Sequence, residues 1–196
     1  MNTRHFPTAA TTAIALAAAL LGGVCLPACA DQKLLPAQSE IAFTSKQMGV
    51  PVDGKFRKFD AQVAFDPKKP EAAKIGFTID LASVLLGAPE SEAELAKPDW
   101  FNTKAFPQAT FQSTAVKALG GGKFDVSGKL AIKSIGRDVL VPVTLVQAAG
   151  NTTASGSFSI KRLDFKIGDG DWKDTSMVAD AVQVKFKLVL TGVGPL

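Results

Sequence analysis

Residues 182–190, VQVKFKLVL, alternate apolar and polar side chains from one position to the next. The even-numbered positions are apolar, whereas Gln183, Lys185 and Lys187 stand between them. Because successive side chains of a strand point to opposite faces, this pattern predicts a strand with one buried and one solvated face.

The same alternation recurs upstream of this segment and predicts seven or eight strands in all. The other predicted strands centre on residues 41–45, 52–65, 75–81, around Phe111, 124–132, 139–145 and 156–160. Within 52–65 the alternation slips by one residue at Lys58-Phe59, which predicts a bulge or a corner. One helix is expected, at residues 90–97 between Pro89 and Pro98. An all-β barrel or sandwich follows, since every apolar strand face must be covered.

The scarce residue types are confined to the start of the chain. The 196 residues carry a net charge of +4, two cysteines (Cys25 and Cys29), one histidine (His5) and no tyrosine. A basic start, an apolar run over 13–21 and the small residues Ala28 and Ala30 are typical of a secretory signal. We therefore expect residues 1–30 to be a signal peptide cleaved after Ala30, and residues 31–196 to form one periplasmic domain. Lipoprotein processing at Cys29 is the alternative.

Residues 31–196 contain no histidine, cysteine or tyrosine. This excludes a Ser-His-Asp triad, a thiol nucleophile, a disulfide and the usual zinc, copper and haem ligand sets. We expect no enzyme activity, no metal and no cofactor. Scattered basic residues give no support for nucleic-acid binding.

Acidic residues offer two further interpretations. Residues 169–174, DGDWKD, are either a calcium loop or a solvated turn, and the turn is favoured because Lys173 interrupts the cluster. A carboxylate hydrolase or isomerase would instead require Asp99, Asp164 or Asp174 to converge in a pocket with a raised pKa.

The phenylalanines mostly share strand parity with aliphatic residues, so they are either packed core or the lining of a hollow barrel. The sequence alone leaves both interpretations open. A packed core would make the domain a structural or interaction module that binds a protein partner through a strand edge or an outer face.

Several segments together resemble the YceI-like family of exported polyisoprenoid-binding proteins. The matching segments are 39–43 (SEIAF), 46–49 (KQMG), 54–59 (GKFRKF), 98–101 (PDWF), 106–113 (FPQATFQS), 128–132 (GKLAI) and 156–165 (GSFSIKRLDF), followed by Asp174, Val178, Asp180 and Val182. The resemblance implies an antiparallel eight-stranded lipocalin-like barrel with one short helix, whose lumen takes an isoprenoid tail. Relatives often carry histidines where this chain has Gln47, Glu94 and Lys133, so the head group stays open.

On this basis we expect a carrier or sequestering protein for a quinone or a polyprenyl phosphate. It would work as a monomer or homodimer with transient contact to a membrane surface. The residues expected to line the lumen are Ile41, Phe43, Phe56, Phe65, Phe77, Ile79, Trp100, Phe101, Phe111, Phe124, Phe158, Val182 and Phe186. The residues expected at the head group are Lys46, Gln47, Lys133, Arg137 and Arg162.

Overall fold

The structure is a computed structural model that describes Met1 and residues 32–196. The predicted signal peptide and the lipoprotein alternative at Cys29 lie outside the described residues. Within residues 32–196, no helix is long and apolar enough to cross a membrane.

Eleven strands, one α-helix and five short 3-10 helices form the described domain. The strands are β1 (Lys33–Leu34), β2 (Glu40–Gln47), β3 (Val50–Phe56), β4 (Phe59–Ala64), β5 (Lys74–Asp80), β6 (Val84–Leu85), β7 (Gln108–Gly120), β8 (Lys123–Ile132), β9 (Ile135–Ala148), β10 (Asn151–Lys161) and β11 (Ala181–Thr191). The helix α1 spans Pro89–Leu95. Its first turn carries Glu90 and Glu92, and negative charge near the N-terminus stabilises a helix. The 3-10 helices are Pro36–Gln38, Pro70–Ala72, Leu81–Ser83, Arg162–Phe165 and Gly170–Lys173.

All the strands belong to one antiparallel sheet that curls into a half-barrel. Its hydrogen-bonded order is β4-β5-β7-β8-β9-β10-β11-β2-β3-β6, and β1 pairs with β11. The prediction of an all-β antiparallel fold with one short helix is therefore confirmed.

The predicted count of eight strands is wrong. Two of the additional strands, β1 and β6, are only two residues long, too short for an alternating pattern to be visible. The third arises because residues 50–64 form two strands, β3 and β4, with a break at Arg57-Lys58. That break lies beside the slip in alternation at Lys58-Phe59, as expected for a corner.

The corner brings together the two ends of the sheet order. The amide of Arg57 donates to the carbonyl of Ser83 at 3.1 Å, and the amide of Lys58 donates to Ser83 Oγ at 3.0 Å. The amide of Asp80 donates to the carbonyl of Lys58 at 3.0 Å. The segment that joins β5 to β6 therefore spans the corner between β3 and β4.

Along β11 the predicted alternation becomes an inner and an outer face. Val184 lies opposite Phe43 of β2 and Phe158 of β10, and Leu188 lies opposite Ala154 of β10. Lys185 is exposed on the outer face. The inner face carries the apolar core, which divides into two clusters along the strands.

One cluster of buried side chains is built almost entirely from regular strands: Ile41, Phe65, Val116, Phe124, Val126, Val141, Leu145, Ala154 and Leu188. The other draws on loops and 3-10 helices as well: Leu81, Trp100, Phe101, Ala109, Leu130, Ile132, Phe165, Ile167 and Val178. Each cluster surrounds a cavity.

Candidate functional site

Two adjoining cavities occupy the inner side of the curled sheet, with volumes of about 310 Å³ and about 150 Å³. The same five residues line both of them, Ile41, Ile79, Leu130, Phe158 and Val184. We call the larger space the polar end and the smaller space the apolar end.

The apolar end is lined only by apolar side chains, contributed by β2, β4, β5 and β7–β11 and by Phe65, which directly follows β4. Phe65 and Phe124 are buried and meet edge to face, with ring centroids 5.3 Å apart. Other lining rings, such as Phe77 and Phe186, stay only half-buried because cavity rather than packed side chains lies in front of them. The strand alternation therefore lines a hollow space and does not fill it.

The polar end combines strand residues with loop residues. Phe43, Phe56 and Phe101 form an aromatic chain along its wall, with centroid separations of 5.6 Å and 6.2 Å between neighbours. The polar lining residues are Ser45, Gln47, Ser91, Glu94 and Arg162. Gln47 and Ser91 are exposed, so the cavity reaches the molecular surface between the end of β2 and helix α1.

Two tryptophans lie together in the lining of the polar end. Trp100 and Trp172 have ring centroids 5.4 Å apart with planes inclined by 51°. The Trp100 ring is buried, and its Nε1 has no hydrogen-bond partner in the described part of the chain. Sequence reasoning missed Trp172, because its neighbours are the acidic residues of a solvated 3-10 turn.

Arg162 holds the loop that covers the polar end. Its side chain is 2 % exposed, and all five guanidinium N–H groups donate to backbone carbonyls. The acceptors, with donor–acceptor distances, are Ala179 at 3.2 Å, Ile167 at 2.8 Å, Gly168 at 2.8 Å, Trp172 at 2.6 Å and Val178 at 2.7 Å. Burial lowers the pKa of Arg162, while the nearby Asp180 opposes that shift. Arg162 thus organises residues 163–180 and has no donor left for another group.

Of the five residues expected at the head group, Gln47 and Arg162 line the polar end. Lys46 and Arg137 are exposed and lie outside the lining. Lys133 also lies outside it, with Nζ donating to the carbonyls of Pro98 at 2.9 Å and Lys166 at 2.7 Å. Burial lowers the pKa of Lys133, and the carboxylates of Asp169 and Asp99 oppose the shift.

Every one of the thirteen residues expected in the lumen lines at least one of the two cavities. Phe43, Phe56, Trp100, Phe101 and Val182 line only the polar end, whereas Phe65, Phe77, Phe111, Phe124 and Phe186 line only the apolar end. Their role in holding a ligand stays a prediction. Sequence reasoning did not select Leu81, Leu86, Ile160 or Ile167, which also line the polar end.

The carboxylates required by the hydrolase alternative do not converge. Asp99, Asp164 and Asp174 are all exposed, and none of them lines either cavity. The pKa of Asp174 is lowered, first by a hydrogen bond from the Ser176 hydroxyl and then by the Ser176 amide. Among the described residues no group of three acidic, histidine or cysteine side chains is placed to hold a metal ion.

The fold and the site define a class: a curled antiparallel β-sheet protein that encloses an apolar cavity. Residues 33–190 match the family described as the YceI-like domain, and the chain belongs to this family. It is 29 % identical over 185 residues to a UPF0312 protein of Ectopseudomonas mendocina, covering 89 % of this chain and 93 % of that protein.

Solved structures share the fold. The crystal structure of BcnA from Burkholderia cenocepacia has 48 % sequence identity and a TM-score of 0.77, covering 80 % of this chain and 98 % of that one. A polyisoprenoid binding domain from Saccharophagus degradans has a TM-score of 0.67 at 18 % identity, covering 82 % of this chain and 98 % of that domain. The second likeness concerns the fold alone.

Proposed function

We propose that this protein is a periplasmic carrier or sequestering protein that holds a long isoprenoid-type lipid in its cavity. The observation that carries the proposal is the pair of adjoining cavities, whose walls are mainly aromatic and aliphatic side chains, with polar side chains only at the polar end. Family membership and the fold shared with a polyisoprenoid binding domain add support.

The driving force for uptake is burial of the apolar tail. Removing apolar surface from water stabilises a complex by roughly 25 cal/mol per Å², and an isoprenoid tail exposes a large apolar area in water. The rings of Phe77, Phe158 and Phe186 are half-buried, and a bound tail would cover the parts of them that are exposed to water. Both partners therefore gain from association.

The two ends of the cavity suggest an orientation for the bound lipid. The apolar end offers no polar side chain, so a head group there would lose its hydrogen bonds to water without replacement. Ser45, Gln47 and Ser91 at the polar end supply hydroxyl and amide groups. We therefore place the tail at the apolar end and the head at the polar end. The alternative is a packed lumen with a protein partner on the outer surface. The two cavities count against it, because the interior is hollow.

The direct test is to purify the protein from the periplasm of its native host, extract it with organic solvent and identify the extract by mass spectrometry. We expect an isoprenoid lipid in stoichiometric amount. Added isoprenoid should also change the intrinsic fluorescence, which comes from Trp100 and Trp172 because the chain has no tyrosine. Absence of lipid in the extract together with no uptake in solution would contradict the proposal.

A matched pair of variants tests whether the lipid lies inside the sheet. Val184 lines both cavities, so Val184→Trp should obstruct the passage between them and reduce retention of a radiolabelled isoprenoid at least tenfold. The neighbouring Lys185 is exposed on the outer face, and Lys185→Trp should retain the lipid as the unmodified protein does. Equal retention by both variants would exclude the cavity as the binding site.

The proposed location requires its own measurement. Expression of the full chain followed by cell fractionation should recover the protein in the periplasmic fraction, with Asp31 as the first residue by N-terminal sequencing. Recovery in the cytoplasm with the first thirty residues attached would contradict the proposed export.

A further inference from the structure

Charge is scarce in the lining of the two cavities. Glu94 and Arg162 are the only charged residues among the described side chains that line them, and both lie at the polar end. The charge that a head group meets on entry therefore depends on these two side chains and on their existing partners.

Arg162 is not free to bind an anion. Each of its five N–H donors already has a carbonyl acceptor, and together they hold the covering loop. A phosphate that took these donors would leave several buried carbonyls without partners, which is costly. Arg162 is therefore a structural cation.

Glu94 leaves a negative charge at the mouth. It lies near the end of α1, and its side chain is 35 % exposed while it also lines the cavity. Its carboxylate pairs with Lys97, which is itself 61 % exposed and stands outside the lining. The same short helix carries Glu90 and Glu92, which stand outside the lining, and the Glu92 carboxylate accepts hydrogen bonds from the amides of Leu86 and Gly87. Glu94 is therefore the carboxylate of this helix that a head group in the cavity would meet.

We infer that the polar end selects isoprenoid lipids with an uncharged polar head, a hydroxyl or a carbonyl, and discriminates against phosphorylated ones. The inference rests on the proposed function, since it concerns the head of the lipid whose tail fills the same cavity. Ser45, Gln47 and Ser91 can hydrogen-bond to a neutral oxygen. A phosphate would meet the Glu94 carboxylate, and like charges in a partly desolvated mouth repel.

Lys97 does not remove this discrimination. If its ammonium turned from Glu94 to a bound phosphate, the carboxylate would be left unpaired beside the added negative charge. In either arrangement the phosphate lies beside the Glu94 carboxylate, while Arg162 stays hydrogen-bonded to its five carbonyls.

The test compares geranylgeraniol with geranylgeranyl phosphate, two lipids that share one tail, by titration of tryptophan fluorescence at pH 7.5 and low salt. We expect the alcohol to bind at least about tenfold more tightly. Raising the salt concentration should narrow the difference, because salt screens the repulsion at the exposed mouth.

Glu94→Gln should strengthen binding of the phosphate severalfold relative to binding of the alcohol. Glu94→Lys should reverse the preference. The matched control is Glu90→Gln, which removes a charge from the same helix at an exposed position outside the lining. An exposed ion pair contributes little to stability, so all three variants should fold.

If geranylgeranyl phosphate binds as tightly as geranylgeraniol, the inference is overturned while the proposed function stands. The same holds if Glu94→Gln leaves the ratio of the two affinities unchanged. Binding of neither lipid would overturn the proposed function and the inference with it.

Discussion

The two ends of the cavity are built in different ways. The apolar end is a product of regular strands, in which every second side chain faces inward and packs with neighbours across the ladder. The polar end depends on segments without regular pairing, especially residues 163–180, which Arg162 holds through their carbonyls. Apolar packing therefore stabilises both ends, and the polar end depends in addition on a buried hydrogen-bonded cation.

The largest effect should follow from removing that cation. Arg162→Met leaves five carbonyls without their donor, and each buried acceptor left without a partner costs about 1–3 kcal/mol. We expect a loss of about 4 kcal/mol or more in the free energy of unfolding, measured by denaturant titration. Amide exchange should rise first within residues 163–180 and spare β8 and β9.

The control for this variant is Lys161→Met, which changes the preceding, exposed cation. It should alter the free energy of unfolding by no more than about 0.5 kcal/mol. Uniformly raised exchange across both ends in Arg162→Met would show that the two ends do not differ in the way proposed.

A smaller loss is expected from emptying the apolar end. Phe124 is 6 % exposed and packs against Phe65, so Phe124→Ala should cost about 3 kcal/mol, at the lower end of the usual range because part of its surroundings is already cavity. Leu140→Ala, at a position that is 56 % exposed, should change stability by less than about 0.5 kcal/mol. Equal losses from the two variants would contradict the assignment of Phe124 to the core.

Adding a methyl group beside the apolar end should lower the free energy of unfolding by less than removing the Phe124 ring does. Gly156 lies where β9 and β10 diverge, since their pairing ends at Gly156 opposite Val143. A methyl group on Gly156 would overlap the carbonyl oxygen of Pro142 and the ring of Phe186. We expect Gly156→Ala to lower the midpoint of denaturation by the equivalent of about 2 kcal/mol, with Ser157→Ala as the neutral comparison. An unchanged midpoint would mean that the two strands separate freely at this point.

The smallest effect concerns acid pH and should appear only at the polar end. The pKa of Asp169 is lowered, chiefly by a hydrogen bond from Lys173, and that of Asp174 is lowered chiefly by Ser176. A carboxylate whose pKa is lower in the folded than in the unfolded state stabilises the fold at pH values above its unfolded-state pKa. That stabilisation is lost as the pH falls through the lowered folded-state pKa.

Tryptophan fluorescence, which reports on the polar end, should therefore change at a higher pH than the far-ultraviolet circular dichroism of the sheet. Asp174→Asn should weaken the early fluorescence change. A common midpoint for the two signals in the unmodified protein would show that the loop and the sheet unfold as one unit.

The difference between the ends also explains how far the sequence could predict the structure. Alternation located the strands and the lining of the apolar end, because a period of two fixes which side chains share a face. It could not reveal β1 and β6, which are two residues long. The sequence could not show whether the interior is hollow, because that depends on distances between strands that face each other, and a local pattern carries no information on those distances.

The polar end was harder to predict because its contacts join segments distant in sequence. Arg162 was expected to meet a ligand, but the carbonyls that occupy it come from residues 167–179, whose loop conformation has no periodic signal. Trp172 meets Trp100 across 72 positions for the same reason. Alternation alone left the fold open between a barrel and a sandwich, and the family resemblance favoured the barrel.

The most direct test of the account uses the two tryptophans as a marker of one end. Both lie at the polar end, and residues 32–196 contain no other tryptophan. Two isoprenoid probes, one with a nitroxide next to the hydroxyl head and one with a nitroxide at the far end of the tail, should bind with similar affinity. We predict strong quenching of tryptophan fluorescence by the head-labelled probe and weak quenching by the tail-labelled probe. Equal quenching by the two probes, or stronger quenching by the tail label, would contradict it.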